Sequence, residues 1–367
     1  DRIFYYGGGG QGNHLGGGYS SSTRAALGIT YSSNALAQEK TGEFWVDGQL
    51  FGSSTCHTAG GFEHSDVAVF WGKNPWQSHG FPRARVVLKE IAKDPNRTLV
   101  VVDPKSTETA RMADIHIAPL PGSDAFVLSA LVAALFEQDL IDPAFIAAHT
   151  TGIEDVEAAF AVVDIENFSA RAGIEPADIR KLAEVIGNAG SVSILEDLGI
   201  QMAPHSTMNS YLEKLVVLLT GNFGTAGGMN LHTSLGPLFG EHDERVTPVT
   251  GHRLVTGLVP CNVIPDEIVT DHPDRFRAMI VESGNPAHSL AESSRWRDAF
   301  EALDFSVVID VAMTETARLA DYVLPAASQY EKWEATFFNL EFPENSYHLR
   351  RPILDPLPGT LPEPEIH

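Results

Sequence analysis

One composite pattern of residues suited to ligand binding stands out in the sequence. An apolar segment, residues 67–71, is followed by Gly72-Lys73-Asn74-Pro75, and a later apolar segment ends at Asp103. Shortly after Asp103 comes the segment 107–114, which reads T-E-T-A-R-M-A-D. The pattern therefore combines a glycine-containing loop, a carboxylate after a strand-like segment, and a polar turn rich in hydroxyl groups.

The same pattern returns in the second half of the chain. The apolar segment 278–281 is followed by Gly284-Asn285-Pro286, and a second apolar segment ends at Asp310. The segment 314–321 then reads T-E-T-A-R-L-A-D. Chance does not account for two copies of so long a composite pattern, so we interpret them as two copies of one functional unit.

The residue types of this unit suit a nucleotide. Ligands of open parallel sheets bind beyond the carboxyl ends of the strands, where we place Gly72 and Gly284 because a side chain there would block a phosphate. We expect the loop to open a helix, whose free N–H groups favour a pyrophosphate. Asp103 and Asp310 only accept hydrogen bonds, and therefore suit the donor edge of guanine or a ribose diol.

Thr107 and Thr314 have two possible roles. Each can donate a hydrogen bond to the ligand, or each can cap the start of a helix, because Asp, Thr and Glu in this order are also ordinary capping residues. A single copy favours capping. Two copies, each preceded by a Gly-Asn-Pro or Gly-x-Asn-Pro loop, favour ligand binding.

Alternating strands and helices must position these residues. Val87, Leu88 and Ile91 have helical spacing between the apolar segments 67–71 and 99–102, which predicts a strand–helix–strand unit with parallel neighbouring strands. The fold class is therefore α/β with parallel sheets. Further helices are predicted at 125–138, 176–187 and 209–219, and further strands at 2–6, 192–195, 278–281 and 307–310.

A glycine-rich loop follows the first predicted strand. Gly7, Gly9 and Gly12 satisfy the dinucleotide pattern G-x-G-x-x-G, although any glycine-rich loop can do so. No acidic residue lies at the usual distance after a second strand. An NAD-dependent dehydrogenase is thus an alternative that the loop supports only in part, and a loop that lets the backbone approach a ligand is the simpler interpretation.

Composition excludes several classes of protein. A formal net charge of −23 argues against nucleic acid or an anionic membrane as the main partner. Cys56 and Cys261, the two cysteines, are too few for an iron–sulfur cluster or a disulfide framework, so we expect a reducing, cytoplasmic compartment. The longest apolar run, 126–136, is too short for a membrane span, and no signal peptide is visible. We expect the 367-residue sequence to be a piece of a larger protein, because it starts without Met in a strand and ends in a linker-like segment.

Taken together, the motifs resemble the molybdopterin oxidoreductase family, the dimethyl sulfoxide reductase and formate dehydrogenase superfamily, from Arg2 to about Pro362. The resemblance implies two Rossmann-like parallel-sheet domains related by pseudo-symmetry, of the type of domains II and III in that superfamily. It also implies one Mo or W ion held by two molybdopterin guanine dinucleotides, hence a doubled unit. The matching segments are 71–75 with 102–104, the central L-T-G-N-x-G signature at 219–224, and 282–286 with Asp310 and 320–325.

The resemblance assigns cofactor-binding residues and domain limits. Residues 1–52 with 221–345 form one discontinuous α/β domain carrying the second site, 53–220 form the inserted domain carrying the first, and 346–367 link to an absent C-terminal domain. The first site comprises Gly72, Asn74, Pro75, Asp103, Thr107, Gly122 and Asp124, and the second comprises Gly284, Asn285, Pro286, Asp310 and Thr314.

The resemblance also points to a metal ligand in the loop before the first site. A lone cysteine is most often a small buried apolar residue, but here Cys56 takes the ligand position, and thiolate is a soft donor that suits Mo or W. His57 beside it can accept a proton. Formate dehydrogenases place an arginine in the helix before L-T-G-N, where this chain has Tyr211, which argues against formate. We expect Tyr211 and His205 to shape a different pocket, although a solvent-facing His205 is an equal possibility.

The activity implied is two-electron oxidation or reduction of a small substrate. Electrons would pass through a 4Fe-4S cluster to a partner protein or domain, and that cluster would lie in an N-terminal domain absent from the chain. The chain alone would bind its cofactor poorly and be inactive. A periplasmic location stays open. Alternatives are a structural homologue without molybdenum, such as the large peripheral subunit of respiratory complex I, and a non-redox hydratase of the same fold.

Overall fold

The computed structural model describes residues 2–8, 13–52, 58–78, 80–232, 244–337 and 345–367. Strands and helices alternate along most of this length. The strands are β1 Ile3–Gly7, β2 Tyr31–Ser33, β3 Thr58–Gly60, β4 Val67–Trp71, β5 Thr98–Val102, β6 Ile115–Ile117, β7 Val192–Glu196, β8 Met229–Leu231, β9 Ala278–Glu282, β10 Phe305–Asp310, β11 Tyr322–Pro325, β12 Glu334–Thr336 and β13 His348–Arg350.

Most helices lie between strands of the two main sheets. The helices are α1 Leu15–Ala26, α2 Leu36–Glu39, α3 Thr41–Phe51, α4 Ala84–Ile91, α5 Asp124–Glu137, α6 Pro143–His149, α7 Ile153–Phe160, α8 Ile165–Ala172, α9 Pro176–Gly187, α10 Leu198–Gln201, α11 Ser206–Leu219, α12 Ile264–Val269, α13 Pro286–Ser289, α14 Ser293–Ala302 and α15 Glu363–Ile366. None of those in the described ranges is long and apolar enough to cross a membrane.

The strands form two parallel sheets with matching arrangements. The four-stranded sheet has the order β6-β5-β4-β7 and the five-stranded sheet the order β11-β10-β9-β1-β2. All neighbours in both sheets run parallel. The predicted α/β fold with two parallel sheets related by pseudo-symmetry is therefore confirmed, as is the parallel pairing of β4 with β5.

Four strands of each sheet occupy equivalent positions, but the connections between them differ. The run β4, β5, β6 of the first copy occupies the positions of β9, β10, β11 in the second. In the four-stranded sheet the position beside β4 is filled by β7, which follows β4, β5 and β6 in the sequence. In the five-stranded sheet the position beside β9 is filled by β1, which precedes β9, β10 and β11 in the sequence. The five-stranded sheet thus combines strands from residues 3–33 and 278–325, while the limits of the domains themselves stay a prediction.

The core is densest around α5. This helix is apolar over almost its whole circumference, which is typical of a helix buried on all sides. Val127, Leu128, Leu131 and Leu135 are fully buried, and the helix packs against α8, α9 and α11. A second core lies behind the five-stranded sheet and is centred on the fully buried Trp296.

Three local predictions need correction. Helix α11 begins at Ser206 rather than at Asn209, directly after His205, whose φ of 61° lies outside the helical region. The T-E-T-A-R segments form short 3₁₀ turns at Ala110–Met112 and Ala317–Leu319 and not α-helices. The loop after β4 does not open a helix, since α4 begins only at Ala84, and the helix after β9, α13, is a single turn.

Candidate functional site

The side chain of Asn74 joins the two ends of the first copy. Its Oδ1 accepts hydrogen bonds from the hydroxyl of Thr109 at 2.7 Å and from the backbone N–H of Thr109 at 3.3 Å, and its Nδ2 donates to Glu108 at 2.8 Å. The Thr109 hydroxyl oxygen in turn accepts from the N–H of Trp76 at 3.2 Å. The loop after β4 is thus fastened to the turn after β5.

Asn285 makes the same set of bonds in the second copy. Its Oδ1 accepts from the hydroxyl of Thr316 at 2.8 Å and from the N–H of Thr316 at 3.1 Å, and its Nδ2 donates to Glu315 at 2.7 Å. The Thr316 hydroxyl oxygen accepts from the N–H of Ala287 at 3.1 Å. The doubled sequence pattern therefore encodes a doubled hydrogen-bonded frame, which we call the Asn–Thr frame.

The two aspartates at the strand ends also adopt one geometry. Oδ1 of Asp103 accepts from the N–H of Lys105 at 2.8 Å, and Oδ1 of Asp310 accepts from the N–H of Ala312 at 3.0 Å. Both side chains are half-buried, and burial raises the pKa of Asp310 above its usual value. Each carboxylate is thus held in place by a backbone turn at the carboxyl edge of its sheet.

Thr107 and Thr314 serve as caps. Their hydroxyl oxygens accept from the N–H groups of Ala110 and Ala317, each at 3.1 Å, at the start of the two 3₁₀ turns. The capping alternative accounts for these bonds without a ligand. A role of either hydroxyl toward a cofactor stays a prediction.

The structural counterpart of Gly72 is Ser283, not Gly284. Gly72 and Ser283 both have positive φ, 60° and 51°. The N–H of Gly72 donates to the carbonyl of Val102, and the N–H of Ser283 donates to the carbonyl of Ile309, both at 2.9 Å. The sequence pattern therefore pairs Gly72 with Gly284, whereas the structure pairs it with Ser283, one position earlier.

Close packing within the protein explains both glycines. A Cβ at Gly72 would lie 2.6 Å from the backbone nitrogen of Ile200. A Cβ at Gly284 would lie 2.9 Å from the ring of Tyr6. Protein atoms, rather than a phosphate, thus require glycine at these positions. The neighbouring Pro75 and Pro286 are buried.

Gly122 and Asp124 follow β6 at the same edge as Asp103. Gly122 has a φ of 82°, and a Cβ there would approach Pro204 to 3.3 Å. Oδ1 of Asp124 accepts from the indole N–H of Trp71 at 2.9 Å. Burial raises the pKa of Asp124, and the nearby charge of Asp103 adds to this effect. The structure therefore brings together the predicted residues of the first site.

His205 and Tyr211 lie near this edge, at the start and on the second turn of α11. Both are exposed, and His205 directly follows Pro204, which faces Gly122. This placement is compatible with either role predicted for His205, since a side chain open to solvent can also line an open pocket.

Cys56 and His57 lie outside the described residues. Their neighbours along the chain are described: α3 ends at Phe51 and β3 begins at Thr58. The other cysteine, Cys261, is buried, and its thiol donates to the carbonyl of Asn34 at 3.3 Å. Burial raises the pKa of Cys261 to about 11, so this thiol is a packing residue and not a ligand. The described ranges contain no group of three His, Cys, Asp or Glu side chains placed to hold a metal ion.

The central L-T-G-N-x-G signature has a structural task. Oδ1 of Asn222 accepts from the N–H of Val192 at 2.8 Å, and its Nδ2 donates to the Thr220 hydroxyl at 2.9 Å. Gly221, with a φ of 69°, allows the chain to leave α11 at this point. The signature thereby ties the end of α11 to the start of β7.

A group of buried charges near this edge was missed by the sequence reasoning. Glu43, Asp47, Glu196, Glu213 and Lys214 are each no more than 3% exposed. The available signal was the presence of Glu213 and Lys214 within the apolar part of the predicted helix 209–219. Without knowledge of the partner helix, such positions cannot be told from solvated ones.

Comparisons with known proteins agree with this architecture. The family model described as molybdopterin oxidoreductase matches residues 15–356. The chain is 29% identical over 317 residues to the F420-dependent formate dehydrogenase 1 subunit alpha of Methanococcus maripaludis, covering 80% of this chain and 46% of that protein. It is 28% identical over 291 residues to formate dehydrogenase H of Escherichia coli, covering 72% of this chain and 40% of that protein.

A solved structure has the same fold. Acetylene hydratase from Pelobacter acetylenicus matches with a TM-score of 0.81 at 18% sequence identity, covering 100% of this chain and 55% of that one. The chain thus spans about half the length of the proteins it matches. Because the family model covers nearly all of the chain, including both copies of the Asn–Thr frame, the chain belongs to the molybdopterin oxidoreductase family, in the dimethyl sulfoxide reductase and formate dehydrogenase superfamily.

Proposed function

We propose that the chain is the cofactor-binding part of an oxidoreductase that holds one Mo or W ion through two molybdopterin guanine dinucleotides. The observation that carries this proposal is the doubled Asn–Thr frame at the carboxyl edges of two matching parallel sheets. One ligand with two equivalent nucleotide ends would account for two copies of one frame. Two unrelated nucleotides would give no reason for the two frames to have the same set of hydrogen bonds.

The residues at the strand ends fit a guanosine moiety. Asp103 and Asp310 each accept a backbone hydrogen bond through Oδ1, and no described side chain donates a hydrogen bond to either carboxylate. A half-buried carboxylate in this position can accept from the N–H groups of guanine or from a ribose diol. The backbone N–H groups of Lys105 and Ala312 would hold the two carboxylates in place before the nucleotide binds, and the Asn–Thr frame would fix the loop beside each of them.

Cationic side chains flank the first copy. Arg85 lies over the ring of Trp76, 5.4 Å from its centre, and donates to the carbonyl of Trp76 at 2.6 Å. Arg83 lies at the start of the same helix, in the groove that also contains Pro75. Guanidinium groups bind phosphate oxygens well, so this groove at the start of α4 suits the pyrophosphate better than the loop directly after β4.

We assign the remaining metal ligand to Cys56 and a proton-accepting role to His57, both by resemblance. When bound, the cofactor would supply two-electron transfer to or from a small substrate, the metal alternating between its IV and VI states. The contribution of the chain is to hold the two dinucleotides, to provide the thiolate of Cys56, and to accept a proton at His57.

The substrate that we infer is small and is not formate, although curated relatives are named formate dehydrogenases. Helix α11 contains no arginine, and its one basic residue, Lys214, is buried among carboxylates. Lys214 therefore cannot pair with a substrate carboxylate. Tyr211 and His205, both exposed near the first edge, offer hydrogen-bonding groups instead.

The electron partner belongs to the rest of the protein or to another subunit. We propose a 4Fe-4S cluster outside this chain and an electron-transfer partner protein or domain beyond it. One matching relative is named as an alpha subunit, which supports assembly with other subunits. We propose a cytoplasmic location for the protein.

Metal, pterin and guanine analysis of the intact protein tests the cofactor. We expect two guanine nucleotides for each Mo or W ion. Asp103→Asn and Asp310→Asn should each lower this content, whereas Asp94→Asn should not, because Asp94 accepts the same type of backbone bond in an exposed turn remote from the site. Absence of pterin from the intact protein would contradict the proposal and favour a structural homologue.

Activity assays separate the remaining alternatives. Turnover should require an electron acceptor, and turnover without one would favour a hydratase. Formate oxidation at rates comparable to other substrates would contradict our inference from Tyr211 and Lys214. Calorimetry should detect no binding of NAD, because β2 ends at Ser33 without an acidic residue to bind a ribose.

A further inference from the structure

A cluster of ionisable side chains is buried between α3, α11 and the end of β7. Glu43 and Asp47 lie one turn apart on α3, Glu213 and Lys214 are adjacent on α11, and Glu196 is the last residue of β7. We call these five residues the buried charge cluster. All are 3% exposed or less, so none can rely on bulk water for solvation.

Lys214 lies at the centre of the cluster. Its Nζ lies 2.7 Å from Glu213, 3.4 Å from Glu196 and 3.9 Å from Glu43. The hydroxyl of Ser210 donates to Glu196 at 2.9 Å. A single ammonium group is thus shared among several carboxylates.

Several carboxylate oxygens have no partner. Both oxygens of Asp47 and Oε1 of Glu213 lack a hydrogen bond within the part of the chain that the structure describes. Asp47 and Glu213 are both 0% exposed. A buried carboxylate with no donor is costly when ionised and much less costly when it carries a proton.

The charges of the cluster do not balance. Its carboxylates are Glu43, Asp47, Glu196 and Glu213, against the single cation Lys214. Lys40, at the start of α3, adds a second cation 3.3 Å from Glu43, but it is shared with Asp197 at 3.5 Å. Full ionisation would leave excess negative charge in a buried volume, which proteins avoid by neutralising a group. The cluster therefore retains a proton.

Asp47 and Glu213 are the groups that hold it. Burial raises the pKa of Asp47 to about 8, with the charge of Lys214 opposing and those of Glu43, Glu196 and Glu213 adding to the rise. Burial raises the pKa of Glu213 to about 7, although the positive charge of Lys214 opposes this rise. Both values lie near neutral pH, where a group can accept and release a proton with little change in conditions.

The cluster is next to the candidate site and has a route to solvent. Helix α3 leads directly into the segment that contains Cys56, and Glu196 pairs in register with Trp71 at the carboxyl edge of the four-stranded sheet. On the other side Glu43 contacts Lys40, which contacts Asp197. The side chain of Asp197 is 18% exposed, so the chain of contacts ends at water.

We propose that the buried charge cluster is a proton store for the reaction, with Asp47 as the group that carries the proton, and that it exchanges protons with solvent through Glu43, Lys40 and Asp197. The proposal rests on the proposed two-electron chemistry. In the reduction direction two electrons reach the substrate from an iron–sulfur electron donor, the O–H bond of the Asp47 carboxyl group breaks, and its proton completes the new bond from substrate to hydrogen; solvent then restores the proton on Asp47. Oxidation of the substrate reverses each transfer, with Asp47 first releasing its own proton to solvent.

Infrared spectroscopy of the intact protein tests the protonation directly. The parent should show a carboxylic acid C=O absorption at about pH 6 that disappears toward about pH 10, and Asp47→Asn should remove the part of this absorption that belongs to Asp47. Asp155→Asn, on the exposed face of α7, is the matched control and should leave the absorption unchanged. If Asp47 is already ionised at about pH 6, the proposal is overturned whatever the activity of the protein.

Stability against pH gives an independent measurement with a definite sign. The folded state binds the Asp47 proton more tightly than the unfolded state, in which the pKa of Asp47 lies near the ordinary aspartate value of 3.8. The contribution of Asp47 to the free energy of unfolding of the parent therefore falls as pH rises between about 4 and about 8. Asp47→Asn lacks this contribution, so its free energy of unfolding should fall less over the same pH range. Equal pH dependence of parent and variant would contradict the proposal. Glu213→Gln repeats the test at the second group.

Kinetics then connects the cluster to turnover. In the cofactor-loaded protein Asp47→Asn should lower kcat about tenfold or more with KM unchanged, and should shift the pH profile of kcat. Unchanged kcat and pH profile in a loaded, active variant would overturn the proton-transfer role and leave the proposed function intact. Loss of the proposed function itself is detected separately, as absence of pterin and metal from the parent.

Discussion

The Asn–Thr frame should contribute measurably to stability, and the first copy allows the size of the effect to be worked out. Asn74→Ala removes the acceptor for both the hydroxyl and the N–H of Thr109, which is fully buried. Each such bond contributes about 1 kcal/mol net, and a buried donor left without a partner costs about 1–3 kcal/mol. The bond to the more exposed Glu108 adds little. We therefore expect Asn74→Ala to lower the free energy of unfolding by about 2–3 kcal/mol.

Chemical denaturation of the intact protein measures this loss, and hydrogen exchange localises it. The amide of Thr109 should exchange faster in Asn74→Ala, and the amide of Thr316 should do so in Asn285→Ala, the equivalent change in the second copy. Asn96→Ala is the matched control, because Asn96 is exposed and bonds only within its own turn. Its effect should stay within about 0.5 kcal/mol.

A double-mutant cycle decides whether the loss belongs to the pair. Thr109→Val removes the hydroxyl with little change in shape, so the coupling energy between Asn74→Ala and Thr109→Val should be about 1 kcal/mol. Additive effects would refute the reasoning, since they would mean that the asparagine acts through the backbone of its loop. A loss in Asn74→Ala no larger than in Asn96→Ala would refute it as well.

Three further changes test other features. Lys214→Met leaves buried carboxylates without their cation and should lower the free energy of unfolding by about 3–5 kcal/mol. Lys181→Met, at an exposed ion pair, should lower it by less than about 1 kcal/mol. Equal losses in the two variants would contradict the buried pairing of Lys214. Gly72→Ala combines a positive φ with a backbone clash and should destabilise by about 2–4 kcal/mol, against about 1–2 kcal/mol for Gly28→Ala, where the space is open. Cys261 should react with iodoacetamide at least about 100-fold more slowly than an exposed cysteine at about pH 8, as read by peptide mapping, because burial raises its thiol pKa to about 11.

The features that could be predicted from the sequence are those encoded locally. The doubled pattern predicted two matching parallel units because each copy carries its strand, loop, aspartate and turn within one short stretch. Val87, Leu88 and Ile91, whose spacing predicts a helix, are fully buried on α4. In such cases the sequence contains both partners of each interaction, or a period that defines the buried face.

The features that were mistaken or missed depend on distant segments. Gly72 is glycine because α10, far along the chain, approaches its backbone, and no neighbouring residue indicates this. Gly72 was matched to Gly284 because both residues are glycine, whereas the residue of the second copy that shares the positive φ of Gly72 is Ser283. The buried charge cluster combines α3, β7 and α11, so its residues look like solvated surface positions until the three elements are assembled.

The different connections of the two sheets explain why their carboxyl edges carry different buried ionisable side chains. In the four-stranded sheet the strand beside β4 is β7, and its residue opposite Trp71 is Glu196. In the five-stranded sheet the strand beside β9 is β1, and its residue opposite Glu282 is Gly7. A glycine cannot contribute a carboxylate, and the helix after β1 is α1, which contains no acidic residue. The five-stranded edge carries Glu282 itself, a buried carboxylate that accepts from the Tyr5 hydroxyl and lies 3.2 Å from the imidazole of His367. The two edges that we propose hold equivalent nucleotide ends therefore differ in the buried ionisable groups beside them.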